Sequence, residues 1–517
     1  MVSPQRLRLA ATLLLVPALA SAGTAAVAET ATREKVLAAI PKLENIAQET
    51  VAGGGVPGLS IAIVYKDEVV YLGGFGVREA GKPGLVDADT VFQLASFSKP
   101  ISSTIVASLV SDGLVRWDSR IADLDPAFRL HDAYPTEQVT VTDLFNHRSG
   151  LSGNAGNDLE SLGFDRDTIL SRLHYLKPTS SFRAGYAYSN FGLTEGAVAA
   201  VKPTGRSWEE VAEERLYKPL GMSSTSSLHA DFLTRANRAS LHVPVDGKWT
   251  ALVKRNPDPQ SPAGGVSSNV RDLAQWMRLV LGNGKYEGVQ LIKEEAITPT
   301  HAPLMDRGKN PVSGAPSFYG LGWNVEFGRY GTVWGHAGAF SQGARTLVTL
   351  LPSEQLGIVV LANAFPTGVP EGLADSFFDL VFVGVPSEDW ASRWNAFFAS
   401  LFGPAMEAAK KVYGTAPVSP APALPLAAYA GTYANDYLGN AVVVEEDGGL
   451  ALKLGPNGVK SRPLKHFDRD LFIYYPDDEM PDMPYAVTFT IGPDQKASQV
   501  TIDDLNDDGQ GVLARLK

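Results

Sequence analysis

Ser96 and Lys99 stand three residues apart in the segment LASFSKP, otherwise free of charge, just where an apolar run begins. On a helix that spacing puts both side chains on one face, within reach of a hydrogen bond. Two readings are open. One is a solvated lysine on a helix surface. The other is a serine made nucleophilic by a buried amine. A hydroxyl needs a base, and a lysine with its ordinary pKa of about 10.4 is protonated at neutral pH, but burial disfavours the ammonium and lowers that value. No other Ser-x-x-Lys occurs in the chain.

Two further segments carry side chains suited to acyl chemistry. In YAYSNFGL, Tyr188 and Asn190 flank Ser189. The phenol can shuttle a proton to a leaving group, and the amide can hydrogen-bond either the lysine or the acyl side of a substrate. The same Tyr-x-Asn spelling recurs at Tyr433-Ala434-Asn435, where it reads as a strand end. In WGHAGAF, His336 is the one histidine of eight with a glycine, Gly338, two residues on. Such a glycine would let a substrate backbone approach a strand edge, and the N–H of Ala339 could join that of Ser96 as an oxyanion pair. A histidine beside a turn also reads as purely structural. His147, in NHRSG, reads as a turn residue fixed by capping bonds, and Gly264-Gly265 as a tight turn on a cleft rim. Trp323, Trp334 and Phe97 fit core or substrate wall equally.

The elements that must position these groups follow from hydrophobic spacing. Residues 33–51 have helical periodicity, and LSIAIVYKDEVVYLGGFG reads as a hairpin turning at Lys66-Asp67. The glycines before it spell G-x-G-x-x-G but precede a strand instead of following one, so a turn is the better reading. Helices are expected from Lys99 to about Gly113, within residues 138–150 behind an Asp/Thr cap, and over residues 269–281 with Asn269 as cap. Three β-rich pieces follow in residues 317–362, which suggests one mixed sheet whose first hairpin pairs with its last strands. Residues 414–425 form a Pro/Ala linker, and beyond it six or more short alternating strands fit a small antiparallel barrel or sandwich.

Composition bounds the partners. A chain of 517 residues is long enough for two domains plus processing segments, and 44% hydrophobic with 20% charged residues is ordinary for a globular protein. The formal charge of -11 argues against a grip on nucleic-acid backbones. Arg6 and Arg8, the run AATLLLVPALA and the small-residue sites ending at Ala22 or Ala28 read as a signal peptide over residues 1–28, so a periplasmic or secreted protein without a membrane span is expected. With no cysteine there are no disulfides, thiolate metal sites or thiol nucleophiles, and the scattered histidines lack ligand spacing. No metal and no cofactor is expected. The partner is a small-molecule or peptide substrate, and the sequence leaves oligomeric state open.

Ser-x-x-Lys at a helix start, Tyr-x-Asn after it and His-x-Gly on a late strand, in this order, resemble the active-site serine penicillin-recognising superfamily of class C β-lactamases, D,D-peptidases, D-aminopeptidases and related esterases. The segments DLFNHRSGL, LYKPLGM, PAGGVSSNVRDLAQWM and YGLGWNV extend the resemblance across about residues 35–400, and the tail resembles the lipocalin-like domain often appended to such hydrolases. The implied fold is α/β (α+β): a mixed, mainly antiparallel sheet flanked by helices with a helical subdomain, over residues 33–400, then a small antiparallel β-barrel over residues 426–517. The implied roles are Ser96 as acylated nucleophile, Lys99 as base or relay, Tyr188 as general acid/base, Asn190 as positioning amide, and His336 and Gly338 as pocket edge. The chain departs from many β-lactamases in having His-Ala-Gly where they have Lys-Thr-Gly, which moves the expectation toward D-amino-acyl peptides, amides or short esters. A β-lactamase, or a penicillin-binding sensor that does not turn over, remains the alternative.

Overall fold

GLSIAIVY is apolar at almost every position, and strand β1 (Gly58–Tyr65) is buried along its whole length. Its alternate residues enter different cores: Leu59, Ile61, Ile63 and Tyr65 on one face, Ala62 and Val64 on the other. The sheet therefore needs cover on both sides. It turns into β2 (Glu68–Gly76) through Lys66 and Asp67, both left-handed with φ of 47° and 62°, as a two-residue hairpin demands. This hairpin belongs to an eight-stranded sheet in a computed structural model that describes residues 30–415, 417–476 and 483–517. The expected signal peptide lies outside the described residues.

The remaining strands are β3 (Met305–Lys309), β4 (Pro316–Tyr319), β5 (Asn324–Gly328), β6 (Gly331–Phe340), β7 (Ala344–Leu351) and β8 (Leu356–Ala362). Their order is β2-β1-β8-β7-β6-β5-β4-β3. As expected, the first hairpin meets the last strand, with Leu59 opposite Ala362 and Tyr65 opposite Leu356. Every pairing in this sheet is antiparallel. The sequence suggested three β-rich pieces where five strands, β4 to β8, occur. The two overlooked ones are short or interrupted by glycine, and His-Ala-Gly sits within β6, a late strand as the resemblance implied.

Helices α1 (Arg33–Ala52), α2 (Ser98–Ser111), α3 (Val141–Phe145), α4 (Asn157–Ser161), α5 (Asn190–Val201), α6 (Ser261–Gly264), α7 (Val270–Leu281), α8 (Val369–Phe382) and α9 (Trp390–Tyr413) make the two outer layers. Helices α1 and α8 share a core with one face of β1 and β8, while α2, α5 and α7 pack on the other. Caps fall where the sequence places them: Asn269 accepts from the N–H of Asp272, and Thr140 with Asp143 forms a capping box. Helix α9 runs past residue 400, where the sequence ends the hydrolase part. Beyond residue 425 eight strands, from Gly431–Asn435 to Val512–Arg515, close into an antiparallel barrel. Tyr433-Ala434-Asn435 is indeed a strand end there. Among the described residues no helix is long and apolar enough to cross a membrane.

Candidate active site

Lys99 is wholly buried on α2, although lysine is among the side chains least often found inside. Its Nζ lies 3.1 Å from Ser96 Oγ, 2.7 Å from Asn190 Oδ1 and 2.9 Å from the carbonyl oxygen of Ala263. Burial drives its pKa well below the ordinary lysine value, against the weaker pull of the Glu160 charge. A neutral amine has two N–H bonds and one lone pair. The two oxygens of Asn190 and Ala263 take the N–H bonds, which leaves the lone pair for the Ser96 hydroxyl. The Tyr188 ring lies 4.5 Å from the same nitrogen, and Ser96 is close enough to bear on its phenol. Burial pushes the Tyr188 pKa far up, so the phenol keeps its proton.

Ser96 occupies a single 3-10 turn (Ala95–Phe97) that leads into α2, so the serine precedes the helix instead of lying within it. Ala95 before it has a φ of 49°, a conformation costing a non-glycine residue on the order of 1–3 kcal/mol. Neighbours over-determine that turn. Ser98 Oγ donates to Ala95 O at 2.7 Å and accepts from Val266 N–H at 3.0 Å, while Thr346 Oγ1 on β7 donates to Leu94 O at 2.6 Å. The second serine of SFSK is thus a peg for the first. Ser102 Oγ donates to Pro262 O at 2.6 Å, which holds the carbonyl of the adjacent Ala263 toward Lys99.

Gly338 is required by a close approach inside the protein itself. A Cβ there would collide with Leu94 O, Thr346 Oγ1 and Phe97 N, so the backbone brought close to β6 is that of the Ser96 turn itself. Strand β5 pairs with β6 only as far as Asn324 opposite Gly335. Residues 336–340 therefore run on beyond β5, with Ala339 exposed beside the Ser96 turn. His336 is buried with both nitrogens engaged: Nδ1 lies 2.7 Å from Ala337 O, and Nε2 accepts from the Tyr319 hydroxyl at 2.9 Å. Burial and the nearby Lys99 hold its pKa well below the usual imidazole range. It backs the site as a neutral ring.

Three participants escaped the sequence reading. His147 is buried, its ring 4.6 Å from that of Tyr188 and 4.9 Å from that of Tyr319, and its Nδ1 accepts from Ser189 N–H at 3.1 Å. The NHRSG spelling signalled the turn, in which His147 has a φ of 60°, but its burial was invisible in the sequence. Tyr319 sits in YGLGWNV with nothing in its spelling to mark it. The PAGG segment lies inside the site, not on its rim, because the Ala263 carbonyl is a lysine acceptor. Phe97 and Trp323 resolve as core, both packed on Trp276.

Comparison with known proteins follows the same lines. The sequence pattern of the beta-lactamase family matches residues 43–377, and that of a domain of unknown function (DUF3471) matches residues 415–513. An unguisins hydrolase of Aspergillus campestris is 26% identical over 421 residues, 75% of this chain and 74% of its own. Penicillin-binding protein 4 of Amycolatopsis lactamdurans is 26% identical over 66% of this chain and 88% of its own. The D-alanyl-D-alanine-carboxypeptidase/endopeptidase AmpH of Escherichia coli is 24% identical over the same shares. Among solved structures, an octameric penicillin-binding protein homologue from Pyrococcus abyssi superposes with a TM-score of 0.56 at 20% identity, covering 90% of this chain and 98% of its own.

Proposed function

The chain belongs to the beta-lactamase family and is a serine hydrolase, and on that premise we propose that Ser96 is its nucleophile and that it is exported to cleave D-amino-acyl amides or peptides, or short esters. The observation that carries this reading is the buried Lys99 amine, its Nζ within hydrogen-bond distance of Ser96 Oγ and of two carbonyl oxygens, with no carboxylate among those three partners. Ser96 gives its proton to Lys99 as Oγ bonds to the substrate carbonyl carbon. The N–H groups of Ser96 and Ala339 receive the oxyanion. Tyr188, its ring 4.5 Å from Lys99 Nζ and its phenol holding its proton, passes that proton to the departing nitrogen or oxygen and is recharged from Lys99. The scissile bond breaks, the acyl-enzyme remains, and water releases the acid.

The ranking of substrates rests on His336. Where a Lys-Thr-Gly lysine would offer a positive charge, a buried neutral imidazole with both nitrogens occupied offers none. Export rests on the N-terminal pattern, and the division into a hydrolase part over residues 33–400 and a barrel over residues 426–517 is part of the same proposal.

Mass spectrometry with a slow acylating ester is expected to add one acyl mass at Ser96 and none in Ser96→Ala. In a panel of p-nitrophenyl esters, D-amino-acid amides and a chromogenic cephalosporin, the cephalosporin is expected to rank last. Turnover by Ser96→Ala overturns the nucleophile, and a leading cephalosporin overturns the substrate class. A single stoichiometric acylation without turnover would mark a binding protein instead of an enzyme.

A further inference from the structure

Residues 152–160 touch both halves of the molecule. Toward the site, Asn157 Oδ1 accepts from Asn190 Nδ2 at 3.3 Å, and Asn190 Oδ1 is the acceptor 2.7 Å from Lys99. Toward the barrel, the Gly156 N–H donates to the Tyr437 hydroxyl at 2.9 Å, and Ser152 Oγ donates to Asp508 Oδ2 at 2.5 Å. Arg172 Nη1 closes the same contact by donating to Tyr437 O at 2.9 Å. Between these ends the segment lies flush against α5. Gly156 has a φ of 83°, and a Cβ on it would collide with Phe191 and Ile169. Asn157 is itself braced, its Nδ2 donating to Asn154 Oδ1 at 3.3 Å.

The need for such a brace follows from the shape of a primary amide. Its accepting and donating ends are almost equal in size, and only the oxygen suits an amine that donates. Asn190 keeps its oxygen on Lys99 if its nitrogen has an acceptor of its own, and Asn157 is that acceptor. We propose that Asn157 is a positioning residue for the catalytic amine and that the C-terminal barrel, through Tyr437, holds it in place. Asn157 touches neither Ser96 nor Lys99. It acts through Asn190, and the barrel is thereby part of the catalytic apparatus. This inference rests on the reading of Ser96 and Lys99 as nucleophile and base.

The consequence is electrostatic. An oxygen accepting from Lys99 favours the ammonium, so losing it lowers the amine pKa, while a nearby negative charge raises it. The full chain is assayed on a p-nitrophenyl ester across pH as wild type, Ser96→Ala, Asn157→Ala, Asn157→Asp and Tyr437→Phe. Asn157→Ala is expected to lose about tenfold in kcat at nearly constant KM and to move the acidic limb of the profile to lower pH. Asn157→Asp keeps an acceptor, adds a charge and moves that limb to higher pH. Tyr437→Phe, which substitutes no residue around Ser96, moves it in the direction of Asn157→Ala with about a threefold loss in kcat. A wild-type limb in both Asn157 variants overturns the positioning role, and a wild-type limb in Tyr437→Phe overturns the barrel's share even if an Asn157 variant does not fold. Turnover in Ser96→Ala would remove the underlying catalytic reading instead, a different result from either.

Discussion

Lys99 and Asp143 are both wholly buried ionisable residues in the layer of helices that covers one face of the sheet, and they meet opposite treatment. Burial pushes the Asp143 carboxyl up, but Arg183, Thr140 and Arg148 together outweigh it and hold its pKa below the usual value. Arg148 Nε donates to Oδ1 at 2.6 Å and Arg183 Nη2 to Oδ2 at 2.7 Å. Lys99 receives neutral oxygens in place of carboxylates, and its charge is suppressed. The contrast separates structure from chemistry. A buried charge that is fully paired ties chain segments together, and a buried amine without a counterion is suited to act as a base. The two regions also cooperate. Arg148 follows His147 and Arg183 precedes Tyr188 in sequence, and the two loops are zipped by Arg183 N–H to Arg148 O at 2.9 Å and Ala187 N–H to His147 O at 2.9 Å. The paired cluster is the clamp on which the phenol and its flanking imidazole are mounted.

The contrast breaks most visibly at Lys99. Lys99→Met keeps the volume and removes the amine, and turnover is expected to fall by about 10³-fold or more, the scale of losing a positioned base. Stability is expected to rise, since a group whose charging opposes folding is gone. The depressed pKa sets the sign: the wild-type penalty is complete at low pH and fades as pH climbs toward the ordinary lysine value of about 10.4, so the gain in melting temperature should shrink along that scale. A loss of stability in Lys99→Met would contradict the picture of an uncompensated amine.

Asp143→Asn should do the reverse. Removing one partner of a buried pair costs several kcal/mol, and because Arg148 and Arg183 reach solvent the expected loss is about 3 kcal/mol at neutral pH. Asp143 has a lowered pKa, so its contribution is present above the ordinary carboxylate range and disappears as pH falls through the folded-state value. Denaturant melts of wild type and variant should therefore converge in acid. Activity should fall only as far as the Tyr188 loop loosens, about tenfold or less.

How much of this was legible in the sequence follows from the distance over which each feature is decided. Local signals told the truth: the Lys66-Asp67 turn, the Asn269 cap and the strand alternation of the tail depend on neighbours a few residues away. The pairing of β1 with β8 was readable because both are continuously apolar and so must be central. The motif residues Ser96, Lys99, Tyr188 and Asn190 do converge, as their spelling implied. The Ala263 carbonyl, His147 and Tyr319 were not readable. A carbonyl has no spelling, and a histidine or tyrosine becomes part of a site only when distant chain buries it. Gly338 was legible as a point of close approach, but not that the Ser96 turn is one of the backbones that comes near it, since sequence cannot say which backbone arrives.

A second acid, partly buried, sharpens the comparison at the contact with the barrel. Asp158 on α4 receives one hydrogen bond, from Asn154 Nδ2 at 3.2 Å, and faces the barrel carboxylates Asp504, Asp507 and Asp508. Burial first, then those charges, pushes its carboxyl up to about 7. Its sign is opposite to that of Asp143: a raised carboxyl pKa leaves the folded state intact while the group is protonated and penalises it as pH rises toward the folded value. Asp158→Asn keeps the acceptor for Asn154 and removes the charge. It should leave stability unchanged near pH 4 and raise it by about 1–2 kcal/mol at pH 8, the discounted share of a shift of this size for a group in partial contact with solvent. Equal melting curves of wild type and variant at pH 8 would mean that Asp158 does not feel the barrel. A pH-dependent gain would show that the ionised carboxylate, desolvated first and facing the barrel carboxylates second, works against the contact that Tyr437 and Ser152 hold together.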